Sequence, residues 1–376
     1  MDVKRMLVRC FRPISWLNSI IPKKKNQIFF YSNLRFSDNT RALYEYMIDN
    51  GYHKKYRIVL SLNTYAEYKD RVPKEVRVTG NKLGILYFLR SSYAFYSFGK
   101  YPIQPSKDQC VVNLWHGMPL KRIGNLESGC ETINYNYFSY VVATSNLFSD
   151  IMRQVFDCTK EQIKILGQPR CDKLFIKNSP LKKFRKGAKK MVIWVPTFRD
   201  KGDDFEGKGL FLEALEGGQL QELNRYLTLQ DCCMVIKIHP LQVLTKPYEY
   251  DYSNIVILLE EDMKEISLYE LLSVSDALIT DYSSIYFDYL LLDRPIGFTV
   301  DDQQQYEKMR GYVFENPLDY MPGQHIHNMI ELRNFIHNVS CGLDLYKLQR
   351  KKLNNLVNEN QAGSYCRQVL STFHIT

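Results

Sequence analysis

The chain has 376 residues, 45% hydrophobic and 24% charged, a soluble globular composition at a length that predicts two packed domains. Its formal charge of +9 draws it toward polyanions, anionic lipids or phosphorylated substrates. No zinc-finger spacing, aromatic RNA-binding strand or helix-turn-helix pattern accompanies that charge, so nucleic acid is not expected as a partner.

The nine cysteines are scattered without Cys-x-x-Cys pairs, which fits a reduced, cytosolic compartment. Residues 1–25 place Val3, Met6, Leu7, Cys10, Phe11, Ile14, Trp16 and Leu17 at helical spacing, with Lys4, Arg5, Arg9 and Arg12 between them and Lys23, Lys24 and Lys25 after. Arginines break this apolar run, so it is too short and too charged to span a bilayer, and it lacks the core and cleavage site of a signal peptide. Two readings stay open. A basic amphipathic helix with Trp and Phe can lie in an anionic membrane interface, each basic residue there contributing about 1 kcal/mol. The same pattern also describes a first helix packed on its own domain.

From residue 26 onward, short apolar strands alternate with helical stretches. NQIFFYS precedes a helix over NTRALYEYMIDN that ends at Gly51, and YRIVLSLN is the next strand. SYAFYSF, CVVNLWH, YVVATS and IKILGQP follow; after a Lys-rich linker at 179–190 come MVIWVP, CCMVIKIHP, NIVILLE, DALITDYSS and PIGFTV. The β-α-β pattern thus occurs twice, and continuous rather than alternating apolar strands predict parallel sheets covered on both faces. The resulting division is an N-terminal α/β domain at 26–178, a second at 190–345, and a C-terminal helical segment at 346–376 that packs back across the junction.

Ligands of such sheets bind at the carboxyl ends of the strands. His116 and His239 both stand there, one in each predicted half, as candidates for acid/base and phosphate-contacting work. Gly117 admits close backbone approach, Pro119 fixes a turn, and Lys121 and Arg122 add positive charge. Arg170 in LGQPRCD, Thr197 and Arg199 in VPTFRD, and Asp281, Ser283 and Ser284 occupy further strand ends. Ser283 or Ser284 is expected to cap a helix whose free N–H groups face an anion. Asp288 lies one turn on from Ser284, in an otherwise apolar helix, and requires a hydroxyl or basic partner. No phosphate-binding Gly-rich loop or dinucleotide fingerprint is present. His325 and His327 are a weak metal pair with no third ligand in sequence, and DDFEGKG at 203–209 reads as a loop.

Six motifs in order, NLWHGMPLKRIG, GQPRCDKL, WVPTFRD, KIHP, TDYSSIYFDYLLLDRPIGF and YEKMRGYVF with MPG, resemble the CDP-glycerol glycerophosphotransferase family of teichoic acid primases and polymerases. The resemblance runs from about residue 110 to 323. It implies a GT-B fold, two Rossmann-like domains with parallel sheets facing a central cleft, the second holding a cytidine nucleotide. Carried over by motif, the site comprises Trp115, His116, Gly117, Met118, Pro119, Arg170, Pro196, Thr197, Lys237, Ile238, His239, Ser283, Ser284 and Asp288. Met118 and Cys171 depart from the family's usual residues. The implied reaction transfers glycerol phosphate from CDP-glycerol to an acceptor hydroxyl and releases CMP, with no cofactor and no protein-bound metal. His116 is the expected base, with His239, Arg170 and the Ser283/Ser284 helix start at the phosphates; the roles of the two catalytic candidates, His116 and His239, stay exchangeable. CDP-ribitol is the rival donor. A GT-B nucleotide-sugar glycosyltransferase and a non-catalytic scaffold are the other classes. The implied partners are a lipid-linked saccharide or polyol-phosphate acceptor and the cytoplasmic face of the cell membrane, and the chain length resembles the primase type.

Overall fold

The computed structural model describes residues 3–34, 36–197, 210–215, 218–238, 252–264 and 266–376, with backbone alone for 3–10 and 212. They form two compact units. The first holds residues up to Met118, Ile123–Asp172 and Val357–Thr376; the second holds Pro119–Arg122 and Lys173–Leu356.

In the first unit, seven strands are β1 (Lys24–Ser32), β2 (Arg57–Leu62), β3 (Arg77–Thr79), β4 (Ser91–Tyr96), β5 (Cys110–Asn113), β6 (Tyr140–Ala143) and β7 (Ile163–Ile165). They pair in the order β3-β2-β1-β4-β5-β6-β7, and every ladder is parallel. The apolar runs account for the register: Ile28 lies beside Ile58 and Tyr93, and Phe30 beside Leu60 and Phe95. Their side chains pack with Leu43 and Met47 of the helix Asp38–Asp49, and with Val369 and Leu370 of the helix Tyr365–Thr372. Each such fully buried side chain contributes about 1.5–3 kcal/mol. The C-terminal helix requires Gly167, since a Cβ there would stand 1.7 Å from the Tyr365 ring.

The second unit carries β8 (Lys190–Trp194), β9 (Cys232–Lys237), β10 (Ile255–Leu258), β11 (Ala277–Thr280), β12 (Ile296–Thr299) and β13 (Gln324–Ile326). Their order is β10-β9-β8-β11-β12-β13, again parallel throughout. Val192, Trp194, Met234, Ile236 and Ile279 bury one face against Leu220, Leu223 and Leu227 of the helix Gln219–Leu229 and against Phe335 and Ile336 of the helix Met329–Ser340. Both sheets have the doubly wound strand order, which reverses direction at β1/β4 and at β8/β11.

All eleven strands expected from the sequence are present; β3 and β13, three residues each, are additions. The expected linker at 179–190 is not a linker. Pro180–Arg185 is a 3-10 helix inside the second unit, with Leu181 buried, Ser179 Oγ donating to Glu270 at 2.8 Å, and Arg185 paired with Asp276 at 2.9 Å. Its lysines suggest a solvated tether, but buried Ser179 and Leu181 anchor it while Lys182, Lys183, Lys186 and Lys189 are exposed. The chain instead passes from the first unit to the second at Asp172/Lys173.

Residues Val3–Ile20 form a helix, as their spacing predicts. Buried Asn18 ties it to its unit, donating to the Gln104 carbonyl and Gln109 Oε1 at 2.9 Å each. Trp16 and Ile20 nevertheless stay 67% and 56% exposed. Among the described residues no helix is long and apolar enough to cross a membrane.

Candidate active site

β5 ends at Asn113, and the residues after it leave the sheet in a constrained turn. Asn113 Oδ1 accepts from the Trp115 N–H at 3.0 Å, Trp115 takes a left-handed φ of 57°, and Gly117 follows at φ 124°. A non-glycine residue in that region is strained and persists only when its surroundings over-determine it. Here they do. Asn39 Nδ2 donates to the carbonyls of Leu114 and Trp115 at 3.3 and 2.8 Å and to Gln168 Oε1 at 2.6 Å. Asn39 Oδ1 accepts from the Arg170 N–H at 3.0 Å. Arg170 Nη1 in turn donates to the His116 carbonyl at 2.9 Å and to Asp38 Oδ2 at 2.6 Å.

The imidazole of His116 is held as firmly as its backbone. Its ring stacks on Phe98, 4.5 Å between centroids and 19° between planes, and on Trp115 at 3.9 Å and 37°. Trp115 is itself braced edge-on by Phe156 at 5.0 Å. Nδ1 lies 3.3 Å from the Ser97 carbonyl, which only accepts, so the neutral tautomer that satisfies this contact has its proton on Nδ1. Ser97 and Phe98 follow β4, and His116 follows β5, beside the point where the first sheet reverses its strand order.

The equivalent place in the second unit is built around Asp281. This carboxylate, 2% exposed and directly after β11, accepts from the Thr197 N–H at 2.9 Å and from Thr197 Oγ1 at 2.7 Å, joining the ends of β8 and β11 at the reversal. Lys237 closes β9 and is half-buried, as are Ser283 and Ser284.

Several expected contacts are different in the structure. Met118 and Pro119 are buried, so neither side chain forms an open pocket floor. Arg170 gives its charge to Asp38, with 6% of its side chain exposed, and positions the His116 turn. Ile238 is a core residue at 2% exposure whose N–H donates to the Leu258 carbonyl. Pro196 is buried beside Thr197. Ser284 occupies the helix N-cap without a side-chain capping bond, and the helix Ile285–Tyr289 is short, so its dipole contribution is small. Asp288, 1% exposed, finds its partner in Tyr269, whose hydroxyl donates to Oδ2. Lys121 and Arg122 pair with a neighbouring segment: Lys121 bridges Tyr312, and Arg122 donates to the Tyr312 carbonyl at 3.2 Å. His325 meets the Met321 carbonyl and His327 meets Glu331, so the two rings have separate partners. His239, Arg199 and residues 203–209 lie outside the described residues.

Asp38, Asn39 and Gln168 were not singled out in the sequence. Asn39 opens the expected helix NTRALYEYMIDN, and Gln168 stands inside the motif GQPRCDKL.

The family model for CDP-glycerol:poly(glycerophosphate) glycerophosphotransferases matches residues 14–374. The chain belongs to that family. A teichoic acid poly(glycerol phosphate) polymerase of Bacillus spizizenii is 28% identical over 351 residues, 84% of each chain. A second such polymerase, from Bacillus subtilis, is 28% identical over 344 residues, 83% of this chain but 44% of the longer relative. The solved structure of the wall teichoic acid polymerase TagF superposes with a TM-score of 0.76 at 22% identity, covering 99% of this chain and 93% of that one. The family's shared fold is therefore GT-B, two Rossmann-like units, as the motifs implied.

Proposed function

We propose that this protein transfers glycerol phosphate from CDP-glycerol to an acceptor hydroxyl and releases CMP, with His116 as the base. The orientation of His116 carries the reading. Its Nδ1–H is engaged by Ser97, so Nε2 is the atom that accepts the hydroxyl proton. The acceptor oxygen bonds to the β-phosphorus, the bond from that phosphorus to the bridging oxygen breaks, and CMP departs with the electron pair. Proton transfer makes His116 an imidazolium between the faces of Phe98 and Trp115, which favour a cation by about 0.5–2 kcal/mol. Arg170, buried against Asp38, keeps the turn in place and is a positioning residue.

The nucleotide is assigned to the second unit, at the reversal of its strand order. Thr197, Lys237, Ser283 and Ser284 are half-buried polar groups there, His239 follows Lys237 by two residues, and Asp281 holds Thr197 in place. Pro196, Ile238 and Asp288 support this surface from beneath. The acceptor is a lipid-linked saccharide or polyol-phosphate chain, met at an anionic membrane surface through the helix Val3–Ile20. Exposed Trp16, Leu17 and Ile20, followed by Lys23–Lys25, support that docking.

CMP release from CDP-glycerol, CDP-ribitol and UDP-glucose with a lipid-linked saccharide acceptor tests the reading. Turnover of CDP-glycerol that falls about 10²–10⁴-fold in His116→Ala is expected. Turnover of CDP-ribitol alone changes the donor, and no turnover of any donor overturns the proposal.

A further inference from the structure

The second unit has a recess unrelated to the strand ends discussed above. It encloses about 890 Å³ and is lined by residues from 174 to 347, all in that unit. Lys190 is the first residue of β8, Asp276 immediately precedes β11, and Pro295 immediately precedes β12, so the recess lies at the amino-terminal edge of the sheet. Thr197 and Asp281 follow the other ends of the same strands, roughly 15 Å or more away at about 3.3 Å per residue. One ligand group cannot serve both places.

The lining is basic. Lys177, Lys182, Arg185, Lys190, Arg294 and Lys347 face Asp276 and Asp344 alone among lining carboxylates. Both carboxylates are already engaged: Asp276 by Arg185 at 2.9 Å and Lys190 at 3.6 Å, Asp344 by Arg350. The floor is built, since Arg294 Nη1 donates to the carbonyls of Leu272, Ser273 and Ser275 and Arg185 Nη2 to that of Val274. The rim is open, with Lys177, Lys182 and Lys347 exposed on three separate segments. Between these cations stand exposed apolar side chains, Phe175 at 41%, Ile176 at 39% and Leu343 at 49%.

A single phosphate does not engage lysines spread over three segments, and a flat bilayer does not enter a recess. A flexible chain of phosphates separated by short carbon linkers does both, its charges meeting the lysines and its linkers meeting the apolar groups. We propose that this groove is a second binding site, which holds the poly(polyol phosphate) chain away from the reacting centre. The identity of that chain rests on the reaction proposed above; the groove's preference for a multivalent phosphodiester does not.

The test titrates a fluorescent oligo(glycerol phosphate) into the full chain carrying His116→Ala, with and without Lys177→Glu, Lys182→Glu and Lys347→Glu together. The three changes are on exposed side chains, and melting curves confirm that the fold is kept. Affinity is expected to fall at least about ten-fold, with most of its salt dependence lost. Catalytically intact protein with the three changes is expected to release CMP normally on a short acceptor while making shorter products. Absence of oligomer binding, unchanged affinity in the triple variant, or equal displacement by inorganic phosphate overturns the proposal, and equal displacement by an oligothymidylate of matched length overturns its assignment to a poly(polyol phosphate) chain. Binding by the His116→Ala protein is read without turnover, so a failure to use CDP-glycerol leaves this result standing.

Discussion

The two units have the same strand order but fix their strand-end groups differently. In the first, segments around residues 38, 97, 115 and 169 converge on one imidazole, through backbone bonds, a buried ion pair and stacked rings. In the second, among the described residues, the buried carboxylate of Asp281 clamps Thr197 through its backbone and its hydroxyl. The proposed base has to present one nitrogen in one direction, which redundant support secures, whereas the proposed nucleotide surface needs only a held backbone turn with polar groups available.

Asp38→Asn strikes the redundant side. It leaves the Arg170 guanidinium buried without its carboxylate, which costs about 3–5 kcal/mol of stability. A lowered melting temperature with a reduced kcat is expected, and unchanged kcat in folded protein would show that the ion pair does not hold His116.

Thr197→Val strikes the simpler clamp. The Oγ1 bond to Asp281 is lost while the backbone bond remains, a change of about 1.5–3 kcal/mol. KM for CDP-glycerol is expected to rise more than kcat falls; the opposite split would move this turn from nucleotide binding to chemistry.

The smallest effect concerns the loop that carries Phe98. Lys100 donates to the Tyr135 carbonyl and lies over the rings of Tyr135 and Tyr137. Burial pushes its ammonium down to about 7 from 10.5. Between these values the unfolded chain binds the proton more strongly, so stability rises with pH across this window. Lys100→Met is expected to flatten that rise, by at most about 1.4 kcal/mol per pH unit, in denaturant titrations at pH 7.5 and 9.

Much of this was legible in sequence. Eleven strands were readable because parallel strands buried on both faces are continuous apolar runs, and His116 was readable because it closes one of them. Within the motifs, however, sequence did not separate side chains that face outward from those that face the core. Met118 shares a motif with His116, Ile238 with Lys237 and Asp288 with Ser284, yet all three are buried. The segment at 179–190 was misread because its lysines outnumber the two buried residues, Ser179 and Leu181, that anchor it. Asp38 was invisible: at the head of a helix, an aspartate is already explained by the helix.

The sequence by itself determined the α/β class, the alternation of strand and helix, and the strand-end position of the candidate base, because periodicity and turn chemistry are local properties of the chain. Only the tertiary structure decided that Asn39, Gln168 and Arg170 meet at the His116 turn, since Asn39 and Arg170 are 131 residues apart in the chain. Their meeting depends on strand order, which follows from burying both faces of the sheet under right-handed crossovers. No short stretch of residues encodes that order.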